Sequence, residues 1–127
     1  MPRILYVSVD MEADGPVPGQ NSMLSLGADA RLADGTSVAH FSANLQPLEG
    51  AIQDPATMRW WATEPAAWHA CQQNQREAFD VMVEFHLWLE WLANTYSARL
   101  VFVAYPLVYD YGYVSFYCRR YLGTDPF

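Results

Sequence analysis

Apolar and polar positions change rhythm several times along this chain, and each change marks an element. Residues 3–10 read as a hydrophobic strand, Ile4-Leu5-Tyr6-Val7-Ser8-Val9, running into Asp10-Met11-Glu12. Ala13-Asp14-Gly15-Pro16-Val17-Pro18-Gly19 then has the composition of a loop. A second strand is predicted over about 21–31, and Asp34-Gly35 is a tight-hairpin signal after it. Over about 36–46 the alternation is clean: Ala39, Phe41, Ala43 and Leu45 on one side, Val38, His40, Ser42 and Asn44 on the other. Three strands in succession make an antiparallel meander.

The rhythm then turns helical. Asp54-Pro55 is a helix start, a capping carboxylate followed by proline at the first helical position, and the helix carries Met58, Trp60 and Trp61. A second short helix starts at Pro65 and carries Trp68, His69 and Cys71, with Gln72-Gln73-Asn74-Gln75 as a polar hinge. Residues 76–97 form a long helix in which Phe79, Met82, Leu89 and Leu92 recur at helical spacing, widened by Val81, Phe85 and Trp88. His86 borders this stripe and reads as a hydrogen-bonded structural residue. Leu100-Val101-Phe102-Val103-Ala104-Tyr105 shows no polar alternation, which predicts a strand covered on both faces, ended by Pro106. Asp110 is expected to open a last helix over about 110–122, with Gly123 as its stop and Gly112 one turn inside as a point of close approach. The fold class is α/β: a mixed sheet, three antiparallel strands plus one parallel strand, flanked by helices, in one domain over 1–127.

Composition narrows the function. The formal net charge of −7 argues against a broad basic surface gripping duplex phosphates, but leaves room for a small acidic cleft in which bound cations supply the positive charge. Arg59, Arg119 and Arg120 read as solvated surface charge. Cys71 and Cys118 lack metal-site spacing and are expected to be free and buried. No apolar run is long enough to span a bilayer and the N-terminus shows no signal-peptide pattern, so a cytoplasmic protein without membrane association is expected.

The candidate chemistry sits at the end of the first strand. Strand side chains alternate, so Asp10 and Glu12 leave on one face, roughly 6–7 Å apart along the backbone. Two anions that close repel unless a cation lies between them, and hard oxygen ligands suit Mg²⁺ or Mn²⁺. Solvated loop charge is the competing reading of the same tripeptide.

With both halves in view, the chain resembles the DEDD family of 3′–5′ exonucleases, whose fold is ribonuclease-H-like. Val7 to Pro16 resembles the family's first motif, and Val101 to Asp110 resembles its second, in which a strand runs into a helix headed by aspartate. Thr57-Met58-Arg59-Trp60-Trp61 is similar to a tryptophan-rich insertion of a small bacterial exoribonuclease-like subgroup. The resemblance implies two-metal hydrolysis that releases nucleoside monophosphates from the 3′ end of single-stranded RNA or DNA, with Asp10, Glu12 and Asp110 holding two Mg²⁺ or Mn²⁺ ions. It further implies Met11, Ala13, Asp14 and Gly15 along the 3′-terminal nucleotide, and Tyr105 or Trp61 stacked on a base or else packed in the core. The family's third motif, a general base and a fourth aspartate beyond a fifth strand, has no counterpart before Phe127. Asp125 follows the last helix too closely to be that aspartate, and neither His40, His69 nor His86 is placed to be the base. The expectation is therefore a longer natural chain or a shortened member, with weak or no turnover from these residues alone. The alternative is a non-catalytic interaction module that keeps the fold, possible as a homodimer through an apolar face.

Overall fold

The computed structural model describes residues 3–127. Four strands, β1 (Arg3–Ala13), β2 (Met23–Arg31), β3 (Ser37–Asn44) and β4 (Ala98–Val103), form one sheet in the order β3-β2-β1-β4. β1–β2 and β2–β3 are antiparallel, and β4 lies parallel to β1 with Tyr6 opposite Val101 and Ser8 opposite Val103. The helices are α1 (Pro55–Trp61), α2 (Pro65–Cys71), α3 (Ala78–Tyr96) and α4 (Leu107–Leu122). No helix among the described residues is long and apolar enough to cross a membrane.

The alternation in β1 decides how the layers stack. Leu5, Val7, Val9, Met11 and Ala13 are buried, while Ser8 and Asp10 are exposed on the other face. The buried row packs with Val81, Met82, Phe85, Leu89 and Leu92 of α3 and with Tyr113, Val114, Tyr117 and Cys118 of α4. Phe41 of β3 closes the same core, its ring 5.3 Å from Phe85 and 5.7 Å from Trp88. A second, smaller cluster joins Leu24, Trp61 and Cys71, which seats α1 and α2 against β2. Both cysteines are free and buried.

The local signals behave as chemistry requires. Asp54 caps α1 by accepting from the Thr57 amide at 2.9 Å, with Pro55 next to it. At the hairpin, Gly35 takes φ +88° and Asp34 accepts from the Thr36 amide. Gly123 ends α4 at φ +73°.

Four expectations are corrected. β4 is half-buried rather than covered on both faces, with Val103 40% exposed, because the large core lies on one side of the sheet only. α4 starts at Leu107, with Pro106 as its cap, so Asp110 lies inside the first turn instead of opening the helix. A side chain at Gly112 would meet nothing within 4 Å, so no close approach occurs there. Phe79 leaves the core stripe of α3, half-exposed and edge-on to Tyr121, and Ala78 takes its place.

Candidate active site

Parallel pairing of β4 with β1 puts the start of α4 over the end of β1. There the Met11 amide donates to Asp110 Oδ1 at 3.0 Å, across 99 positions of sequence. Met11 is the residue between Asp10 and Glu12, so the third carboxylate is anchored to the backbone between the other two. Asp110 is buried, 5% exposed; Glu12 is half-buried; Asp10 is exposed.

The three side chains sense one another. Burial pushes the Glu12 carboxyl above its usual range, and the charges of Asp10 and then Asp110 push it further. Burial likewise raises Asp110, opposed by the Met11 amide and reinforced by the Asp10 charge. Among the described residues no group of three or more His, Cys, Asp and Glu side chains is drawn together into a ready metal centre. The donor set, three carboxylates with uncompensated mutual repulsion, nevertheless has the chemistry of a hard divalent-cation site.

Asp10 opens onto the uncovered face of the sheet. A trough of about 720 Å³ runs there, lined among others by Ser8, Asp10, Asp29, His40 and Arg76. Gly27 stands opposite Asp10 in the β1–β2 register, which leaves space beside the carboxylate. His40 lies on β3, two strands from Asp10. His86 sits on α3 within 3.0 Å of Glu90, and His69 lies on α2. Asp125 serves the chain's end, accepting from the Ser115 hydroxyl and the Phe127 amide.

No protein-family model matches the chain. Over 123 residues it is 31% identical to the 3′–5′ DNA exonuclease Cap18 of Escherichia coli, an alignment covering 97% of this chain and 62% of that protein. Among solved structures, product-bound exonuclease I superposes with a TM-score of 0.73 at 12% identity, over 98% of this chain and 27% of that one. E. coli exonuclease I in complex with a dT13 oligonucleotide gives 0.72 at 12% identity, over 98% and 25%. The zinc-bound form of the E. coli ExoI–ssDNA complex gives the same values. The chain is similar to 3′–5′ exonucleases in sequence and in fold. At 12% identity the likeness to exonuclease I is one of fold, the mixed sheet with flanking helices expected from the sequence. The chain spans less than two thirds of the curated relative and about a quarter of exonuclease I.

Met11 and the segment after Glu12 are where the lining of a 3′-terminal nucleotide is expected, and these residues mostly face inward. Met11 and Ala13 point into the core, and Asp14 is buried with Oδ1 accepting from the Ser22 amide at 2.6 Å. Trp61 takes the core alternative: 2% exposed, it donates its indole N–H to the Ala13 carbonyl at 3.0 Å and offers no face to a base. Tyr105 is 98% exposed just beyond β4.

Three tyrosines and an asparagine went unrecognised in the sequence. Tyr113 donates to the Gly15 carbonyl at 2.6 Å, Tyr109 donates to the same oxygen at 3.3 Å, and the Tyr117 hydroxyl accepts from the Met23 amide at 2.8 Å. Asn21 accepts from the Val17 amide and donates to the Ile52 carbonyl. The signal was available: Asp110, Tyr113 and Tyr117 share one side of α4 by spacing, a polar-tipped stripe on an otherwise buried face.

Proposed function

We propose that this chain carries the acidic site of a metal-dependent 3′–5′ exonuclease acting on single-stranded DNA ends. The hydrogen bond from Met11 to Asp110 is the observation that carries this reading, because it seats the distant carboxylate between Asp10 and Glu12. Cap18 is named as a DNA exonuclease and exonuclease I is seen with a deoxy-oligonucleotide, which favours DNA over the RNA implied by the exoribonuclease-like motif.

Asp10, Glu12 and Asp110 would hold two divalent ions, Mg²⁺ or Mn²⁺. Such ions make water nucleophilic at neutral pH and offset charge on the phosphodiester oxygens. The protein's own part is placement. The Met11 amide fixes one Asp110 oxygen, and the trough beside Asp10 gives a strand room to enter. Tyr105 can stack on a base. Water adds at the terminal phosphodiester phosphorus, the bond to the 3′ oxygen of the preceding nucleotide breaks, and a nucleoside 5′-monophosphate leaves.

Among the described residues the histidine that shares the trough with Asp10, His40, stands two strands away on β3, and His69 and His86 lie on helices α2 and α3, so turnover by these residues is expected to be about 10²–10⁴ below that of a site with a placed base. The test is a 5′-labelled single-stranded DNA incubated with Mn²⁺ and resolved on a sequencing gel. A slow ladder shortening from the 3′ end is expected; internal cuts or no Mn²⁺-dependent product would overturn the exonuclease reading, and rapid digestion would overturn the expected slowness.

A second reading, an interaction module that pairs with its own copy, draws on the outer face of the sheet at its β4 edge, where Ile4 and Tyr6 of β1 and Val103 of the end strand β4 are exposed. Analytical ultracentrifugation decides it: a monomer at tens of micromolar removes that reading.

A further inference from the structure

We propose that Tyr113 is a positioning residue for the carboxylate cluster, acting through the Gly15 carbonyl; the inference rests on the divalent-ion site proposed above. The β1–β2 register shifts between Glu12 and Ala13, where β2 carries one extra residue, Leu24, before pairing resumes at Ala13 and Met23, so the ladder is irregular just past Glu12. Beyond the bonds that tie Ala13 to Trp61 and Asp14 to Ser22 and Asp54, α4 adds two holds of its own. Asp110 takes the Met11 amide on one side of Glu12, and Tyr113 holds the Gly15 carbonyl on the other. The two are three residues apart on the helix and therefore leave it on neighbouring positions of one side. One helical turn thus brackets Glu12 at both ends of a five-residue span while also delivering Asp110. A shift of α4 relative to residues 11–15 would move two of the three carboxylates relative to each other.

Tyr113 is suited to this by rigidity. It is fully buried, packed edge-on to Tyr109 with ring centres 5.7 Å apart and against Tyr117 at 6.4 Å. Its bond to Gly15 is much shorter than that of Tyr109, which touches the same oxygen only at 3.3 Å. Tyr117 supplies an internal comparison: its buried hydroxyl accepts from the amide of Met23 on β2, the register partner of Ala13, and makes no bond to residues 11–15 themselves.

The experiment is Mn²⁺ titration by isothermal calorimetry on the wild-type chain, Tyr113→Phe and Tyr117→Phe, with thermal melts of each. Both variants lose one buried hydroxyl and are expected to melt lower. Only Tyr113→Phe is expected to weaken Mn²⁺ binding, by about tenfold or more, the effect of losing a group that orients metal ligands; Tyr117→Phe should stay within about twofold. Equal affinities for the two variants, weakened or unweakened, would overturn the inference and reduce Tyr113 to a packing role. A wild-type chain that binds no Mn²⁺ would overturn the ion site itself, a distinct failure. Should Tyr113→Phe not fold, ¹³C-tyrosine spectra of the wild type under Mg²⁺ titration give the answer: the Tyr113 Cζ signal should move while that of Tyr117 stays, and two unmoved signals would overturn the proposal.

Discussion

Changing Asp10, Glu12 or Asp110 singly to its amide is expected to remove exonuclease turnover by about 10²-fold or more, since each change deletes a charged oxygen ligand of the proposed ions. Stability should move the other way for Asp110. An asparagine there keeps an acceptor for the Met11 amide and discards a buried charge facing Asp10. In ion-free buffer at pH 7, Asp110→Asn should melt at or above the wild-type temperature. The sign follows from the direction of the shift. A carboxyl raised above its ordinary 3.8 by folding is no burden below that value, where folded and unfolded chains are both protonated. As pH climbs through the raised folded value, the wild type loses stability, so the variant's advantage should appear above about pH 4 and vanish below it. Mn²⁺ should reverse the ranking. At one hundred times its dissociation constant an ion stabilises the wild type by about 2.7 kcal/mol, several degrees in Tm, and the variant by much less. Melts at pH 3.5 and 7, with and without Mn²⁺, check all of these signs.

The second large effect is structural and falls at Gly15. A methyl group added there would clash with Cγ and Oδ1 of Asn21, in a loop where Asn21 already ties Val17 to Ile52. Gly15→Ala must therefore expel the Asn21 side chain or displace the carbonyl that Tyr113 and Tyr109 hold. Overpacking of this kind costs about 1–3 kcal/mol, and stranding a buried polar group adds about 1–3 kcal/mol. An unfolding free energy from urea titration lowered by about 2–6 kcal/mol is expected; a value within error of wild type would show that the loop is softer than its hydrogen bonds imply. Gly35→Ala is the comparison for backbone strain alone, since Gly35 has positive φ and open space.

Much of this arrangement was legible from period and punctuation. The alternation of Leu5, Val7 and Val9 with Ser8 and Asp10 predicts which face carries the acids, and Asp54-Pro55 and Asp34-Gly35 mark a cap and a hairpin where they occur. Asp110 could be placed at the end of a strand feeding a helix, but not its exact setting. A proline can itself begin a helix, so Pro106 moved the start of α4 three residues forward and left Asp110 within the first turn. Continuous hydrophobicity in β4 suggested cover on both faces, yet the run is as apolar as a buried strand while being only half-buried. Trp61 shows the limit of residue-type reasoning. An aromatic near an acidic pair fits a stacking platform and a core wedge equally well, and only the partner of its indole N–H, the Ala13 carbonyl, separates the two. Bonds such as those from Tyr113 to Gly15 and from Met23 to Tyr117 span more than 90 residues, beyond the reach of any local pattern.

The central claim is that the Met11–Asp110 anchor assembles an ion site from Asp10, Glu12 and Asp110. Anomalous diffraction from a crystal soaked in Mn²⁺ tests it most directly. The expected result is a peak at Mn–O distances, about 2.0–2.3 Å, from oxygens of Asp10 and Glu12, with Asp110 ligated directly or through one water. A peak elsewhere on the molecule, or none beside these three carboxylates at saturating Mn²⁺, would contradict it.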